Sequence, residues 1–371
     1  MITDLLYLVA GIVLLIAGGN YLTDGAVAVA RRFKVSSLMI GLTVVALGSS
    51  MPDIAVCVES AIEGKTAIAV GDIVGANIFD LLLVVGAMAL WRPWEPGRMM
   101  LTRDLPMLFL SLLSLWFVAD SQIFDGAHTN VINRSAGMML IVVFIFYMWI
   151  TVMSARMEST PGSLGSPASG VSQRAAGSVT APASRVGQSA AGAGSASAGS
   201  THTVASAHAA KGEGKGHSSV KKPWLSWLMI IGGLGALVVG GNWVVDGASG
   251  LALKAGMSQG MVALTVVAIG NSLPDLVTSL TATAKGQPGL AFGNIVGACV
   301  IDALLALGIS ASITPLGTGT VGFFDFITLV GSGLLVWLLP YTSRSHKMPR
   351  WSGVMLIAFY VAYMAIIISR G

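Results

Sequence analysis

Charge is what this chain has least of. Only 10% of its 371 residues are Asp, Glu, Lys or Arg, where a soluble domain carries about 25%. With 54% hydrophobic residues, that excludes an ordinary soluble domain and implies a polytopic membrane protein. Cysteine is nearly absent: Cys57 and Cys299 both fall in apolar runs, which excludes a disulfide framework and suits small packing residues. Histidine is missing from every predicted span, since His128, His202, His208, His217 and His346 lie in loops or a linker. A membrane-embedded zinc or copper site, which favours imidazole and thiolate ligands, is therefore not expected. The N-terminus "MITDLLYLVAG" lacks the basic region and small-residue cleavage pattern of a signal peptide, so it is expected to form the first helix.

Apolar runs of about 20 residues, enough to cross a bilayer, occur near 4–28, 37–62, 67–90, 105–119, 135–154, 224–250, 259–284, 289–312, 322–340 and 352–369. The expected fold is all-α, with ten transmembrane helices. In that topology 17 of the 21 Lys and Arg residues fall on one face. The positive-inside rule makes that face cytoplasmic, with both termini external. The net charge of +4 is then topological and gives no sign of a nucleic-acid partner. Between the fifth and sixth spans, residues 155–222 are rich in Ser, Ala and Gly, with few large apolar side chains. Such a segment cannot offset its ordering entropy by burial, so a disordered cytoplasmic linker is expected.

The flanking segments, 1–154 and 223–371, repeat each other. A shift of 222 residues aligns "GGNYLTDGA" with "GGNWVVDGA", "LTVVALGSSMPD" with "LTVVAIGNSLPD" and "GDIVGANIFD" with "GNIVGACVID" without a gap. About 29 of 69 positions in this register are identical, beyond what shared hydrophobicity produces. Five spans per half is an odd number, so the second half is inverted relative to the first. Inverted repeats with interrupted helices are a common architecture of secondary transporters, with the ion site where the repeats meet.

Each half breaks one span with a Gly, two small polar residues, a Pro and an acid: Gly48, Ser49, Ser50, Pro52, Asp53, and Gly270, Asn271, Ser272, Pro274, Asp275. A mid-membrane charge costs roughly 2.5–3.5 kcal/mol, and the proline forfeits a backbone hydrogen bond. Exposed carbonyls are tolerated at that depth only where they line a cavity or are buried in protein. The next span of each half adds Asp80 and Asp302. Carboxylates, hydroxyls and free carbonyls form a hard-oxygen cage suited to Ca²⁺, and by the same hardness to Na⁺. Four carboxylates in a dry pocket cannot all stay ionised without cations. Competition of a divalent ion with Na⁺ or H⁺ for these ligands is the simplest physical basis of antiport. Asp24 and Asp246 are expected to be satisfied at helix ends, and Glu59, Glu63 and Asp72 to lie at a solvated outer end.

The paired pattern "ALGSSMPD...GDIVGANIFD" and "AIGNSLPD...GNIVGACVID" resembles the two alpha repeats of the cation/Ca²⁺ exchanger superfamily, in particular the prokaryotic sodium/calcium exchangers. The resemblance spans nearly the whole chain outside the linker. It implies Ca²⁺ export against Na⁺ by alternating access in a prokaryotic plasma (inner) membrane, with inorganic cations and lipid as the only implied partners and no cofactor. By position it nominates Asp53, Asp80, Asp275 and Asp302, with Ser49, Ser50, Asn271 and Ser272 and the carbonyls of Ala46 and Ala268. The acid after proline is usually glutamate in that family. Here both are aspartate, and the following element reads Gly75-Ala76-Asn77 and Gly297-Ala298-Cys299, so two serine ligands are missing. The Asp80 position is often asparagine in sodium-coupled members. Exchange of Ca²⁺ or Mg²⁺ for H⁺ stays open on these residues. An intramembrane aspartyl protease also uses paired acids, and "VGD" at 70–72 superficially suits it. Yet such chemistry needs two carboxylates, and the repeat supplies four equivalent ones.

Overall fold

A computed structural model describes residues 2–33, 35–120, 130–158, 223–256, 268–319, 321–343 and 347–370. They are mostly helical. The first half comprises α1 (Ile2–Phe33), α2 (Ser37–Ser49), α3 (Met51–Ile62), α4 (Thr66–Trp91), α5 (Met100–Ala119) and α6 (Arg134–Glu158). The second comprises α7 (Pro223–Lys254), α8 (Ala268–Asn271), α9 (Leu273–Ala284), α10 (Pro288–Ile313), α11 (Phe323–Leu338) and α12 (Arg350–Arg370). Among the described residues eight helices are long and apolar enough to cross a membrane, and α2 and α3, bent by 42° at their break, pass the same test together. The expected span over 259–284 falls partly on residues 257–267, outside the described ones. So does the expected linker beyond Glu158, up to which α6 continues past its expected end at 154.

The break between α2 and α3 follows from its residues. Pro52 has no N–H to donate to the Gly48 carbonyl one turn back, while at the start of a new helix its missing donor costs nothing. Proline therefore sits in the first turn of α3, and Pro274 in that of α9. Ser50 (φ −79°, ψ −3°) and Ser272 (φ −87°, ψ −1°) adopt nearly the same conformation at the two junctions. Asp53 and Asp275 thus stand in the first turns of α3 and α9, where a helix dipole favours negative charge.

Glycines set how closely the halves approach. Along α1 and α7, a Cβ at Gly11 would stand 2.7 Å from the Gly240 carbonyl oxygen, at Gly18 2.8 Å from that of Gly233, and at Gly25 2.9 Å from that of Ser226. The partners descend as α1 ascends, so these helices run antiparallel with backbones in contact, the small-residue packing that membrane helices favour. In the same way Gly308 and Gly137 bring α10 against α6, and Gly86 and Gly353 bring α4 against α12. The last helix of each half therefore packs on the other half. At one end of the bundle β1 (Val131–Ile132) pairs antiparallel with β2 (Leu316–Gly317), and at the other Trp94 bridges to Met348. Leu316 lies 222 residues after Trp94, so one member of each end closure occupies the same position of the repeat.

Candidate functional site

Two pairs of elements bring the nominated residues together: α2–α3 with α10, and α8–α9 with α4. Gly293 and Gly297 on α10 allow the first approach. A Cβ at Gly293 would stand 2.5 Å from the Leu38 carbonyl, and one at Gly297 2.7 Å from that of Leu42. The contact lets Ser49 Oγ donate to Asn294 Oδ1 at 3.1 Å. In the other pair Asn271 Nδ2 donates to Asp72 Oδ1 at 3.2 Å. Asn271 and Asp72 are the repeat partners of Ser49 and Asn294, so these are one contact made twice. Cys57 Sγ to the Ala69 carbonyl (3.6 Å) and Ser279 Oγ to the Ala291 carbonyl (3.4 Å) form a second matched pair. At the centre Asn77 Nδ2 donates to the carbonyl of Cys299, its own repeat partner, at 3.4 Å.

The four mid-span acids are buried among these contacts. Asp53, Asp80, Asp275 and Asp302 are 5%, 1%, 4% and 1% exposed. Asp80 and Asp302 sit in matching π-helical turns, Phe79–Val84 and Ile301–Ala306, a local widening often found at functional sites. Asp275 Oδ1 accepts from Asn294 Nδ2 at 2.7 Å. Several buried polar atoms here have no hydrogen-bond partner: Ser50 Oγ, Asp72 Oδ2, Asn77 Oδ1, Asp80 Oδ1, Thr278 Oγ1 and Asp302 Oδ1. An unpaired buried polar group costs about 1–3 kcal/mol. All six are oxygens that can only accept, or that can turn a lone pair inward, which is the donor set of a hard cation.

Two expectations need correction. Asp72 was expected at a solvated outer end, yet its Oδ1 accepts from the nominated ligand Asn271 and its Oδ2 is buried. Glu59 and Glu63, by contrast, are exposed, and Glu63 pairs with Lys65 at 2.8 Å. The Ala46 carbonyl, nominated as a free ligand, accepts from the Ser50 N–H at 2.9 Å and lies 3.2 Å from Ser49 Oγ, whose single proton it shares with Asn294 Oδ1. It can join a cage only if Ser49 turns away. Ala268 is the first described residue of α8, and Ser272 is buried at its junction with α9. Among the described residues no three His, Cys, Asp or Glu side chains converge at metal-ligand spacing.

Asp72, Asn294, Asn77 and Thr278 were missed at the level of sequence. The signal that could have found the first two is their shared position, "VGDIVGA" against "FGNIVGA", polar in both halves one turn or more before the acid.

The family model described as sodium/calcium exchanger protein matches residues 3–153 and 225–369. The chain is 29% identical to the sodium/calcium exchanger MaX1 of Methanosarcina acetivorans, covering 99% of each sequence. It is 27% identical to the inner membrane protein YrbG of Escherichia coli, covering 97% of this chain and 95% of YrbG. Among solved structures, the sodium-calcium exchanger NCX_Mj superposes with a TM-score of 0.71 at 24% identity, covering 99% of both chains.

Proposed function

We propose how this chain works from the premise that it belongs to the sodium/calcium exchanger protein family, whose model covers both of its halves. It is an integral membrane antiporter exchanging Ca²⁺ for Na⁺, and not an enzyme. On our reading the ions bind between the two broken helices, held by Asp53, Asp80, Asp275 and Asp302 with Ser49, Ser50, Asn271 and Ser272. The observation that carries this is the set of buried, unpartnered oxygens on both sides of one pseudo-twofold contact. Helix breaks at membrane depth are tolerated where something else satisfies the freed groups, and a cation satisfies carboxylate and carbonyl oxygens together.

Ca²⁺ and Na⁺ would use overlapping oxygens, so binding of one disfavours the other. The ten-helix count, the cytoplasmic linker, the external termini and an inner-membrane location belong to the same proposal. Purified protein in vesicles tests the reading: Ca²⁺ uptake should follow an outward Na⁺ gradient and stop when Asp53→Asn or Asp275→Asn is introduced. Uptake indifferent to Na⁺ would refute the exchange, and normal uptake in either variant would refute the site.

A further inference from the structure

The repeat is chemically uneven at one position. Asn294, on α10, accepts from Ser49 with its oxygen and donates to Asp275 with its nitrogen, at 2.7 Å. Its partner in the other half, on α4, is Asp72, which accepts from Asn271. A carboxylate has no N–H to give, so Asp72 cannot do for Asp53 what Asn294 does for Asp275. Instead its second oxygen is buried with no hydrogen-bond partner, and Asp53 and Asp302 both lie within electrostatic range of it. Ser50 and Asp302, 0% and 1% exposed, are buried with it, the Ser50 hydroxyl against the Asp302 carboxyl.

We infer that Asp72 is a fifth carboxylate of the cation site, joined to it through its contact with Asn271. This rests on the exchanger reading above. The Coulomb attraction to a fixed charge doubles from Na⁺ to Ca²⁺, so removing the Asp72 charge penalises Ca²⁺ more than Na⁺. Because the contact with Asn271 needs only an acceptor, Asp72→Asn removes charge while keeping that hydrogen bond.

The test measures Ca²⁺ and Na⁺ half-saturation of Na⁺-driven Ca²⁺ flux in proteoliposomes for the full chain. Asp72→Asn is expected to raise the Ca²⁺ value about tenfold or more and the Na⁺ value by under about threefold. Adding Asn294→Asp to Asp72→Asn restores the lost charge within the pocket and is expected to recover part of the Ca²⁺ affinity. A purely structural role would give no such recovery. A Ca²⁺ value within about twofold of wild type, or equal rises for both ions, overturns the inference while leaving the exchanger intact. Wild-type protein without Na⁺-coupled Ca²⁺ flux overturns both. Should Asp72→Asn fail to fold, Asp72→Glu and Asp72→Gln carry the same comparison. Glutamate should keep the Ca²⁺ value within about threefold and glutamine should not. Equal values in the two overturn the inference.

Discussion

Gly297→Ala adds one methyl group where two halves of the molecule touch. A Cβ there would lie 2.5 Å from the Ala46 Cβ and 2.7 Å from the Leu42 carbonyl oxygen. Ordinary non-bonded contact needs about 3.5–4.0 Å, and neither neighbour is the tip of a flexible side chain. Helix α10 must therefore retreat from α2 by about 1 Å. The Ser49–Asn294 bond, 3.1 Å long and flanked by Gly293 and Gly297, would stretch past hydrogen-bonding distance. Losing it costs about 0.5–1.5 kcal/mol, and overpacking about 1–3 kcal/mol. The gain from replacing a helical glycine offsets up to about 1 kcal/mol. The expected net loss is about 0.5–3.5 kcal/mol, read as a lowered thermal unfolding midpoint in detergent. Displacement of Asn294 also moves it off Asp275, so Na⁺-driven Ca²⁺ flux should fall about tenfold or more, by analogy with misplaced catalytic groups. Gly232→Ala is the control: that glycine on α7 is exposed, and its replacement should leave flux unchanged. A Gly297→Ala protein with wild-type stability and flux within about twofold would refute the reasoning that backbone contact there assembles the site.

Asp53→Asn and Asp275→Asn are each expected to abolish Ca²⁺ transport while unfolding within about 1 kcal/mol of wild type, because an amide keeps the side-chain volume; loss of monodisperse protein on sizing would contradict this. Deletion of residues 160–215 is expected to leave flux unchanged, since neither the site nor the matched family regions include them; flux lost from well-folded protein would contradict that. Lys285 Nζ lies 2.8 Å from Asp24 on α1, with both side chains substantially exposed. An exposed pair contributes about 0–1 kcal/mol, so Lys285→Ala should shift the unfolding midpoint little, and a large drop would show that the pair is a principal tie.

Much of the site is legible in the sequence because the repeat is gapless. The register that aligns "SSMPD" with "NSLPD" also aligns Asp80 with Asp302, and acids at membrane depth have few explanations other than function. The helix breaks are legible too, since proline's missing donor is a local property. What was hidden depends on which helices approach. Asp72 reads as a surface acid until Asn271, 199 residues away in sequence, is seen to donate to it. Asn294 has no local reason to bridge Ser49 and Asp275; it does so because Gly293 and Gly297 let α10 lie against α2. The π-helical turns at Asp80 and Asp302 leave no mark in hydrophobic periodicity. The occupied Ala46 carbonyl shows the limit of carrying a ligand over by position, because a carbonyl's availability depends on a neighbouring hydroxyl's rotamer.

The most direct measurement is Ca²⁺ uptake into proteoliposomes holding the full chain, under imposed Na⁺ and H⁺ gradients in turn, with Mg²⁺ compared as the alternative cargo. Uptake driven by the Na⁺ gradient, selective for Ca²⁺ and lost in Asp53→Asn is the predicted result. Uptake that follows the H⁺ gradient alone, or persists in Asp53→Asn, would contradict sodium/calcium exchange at this site.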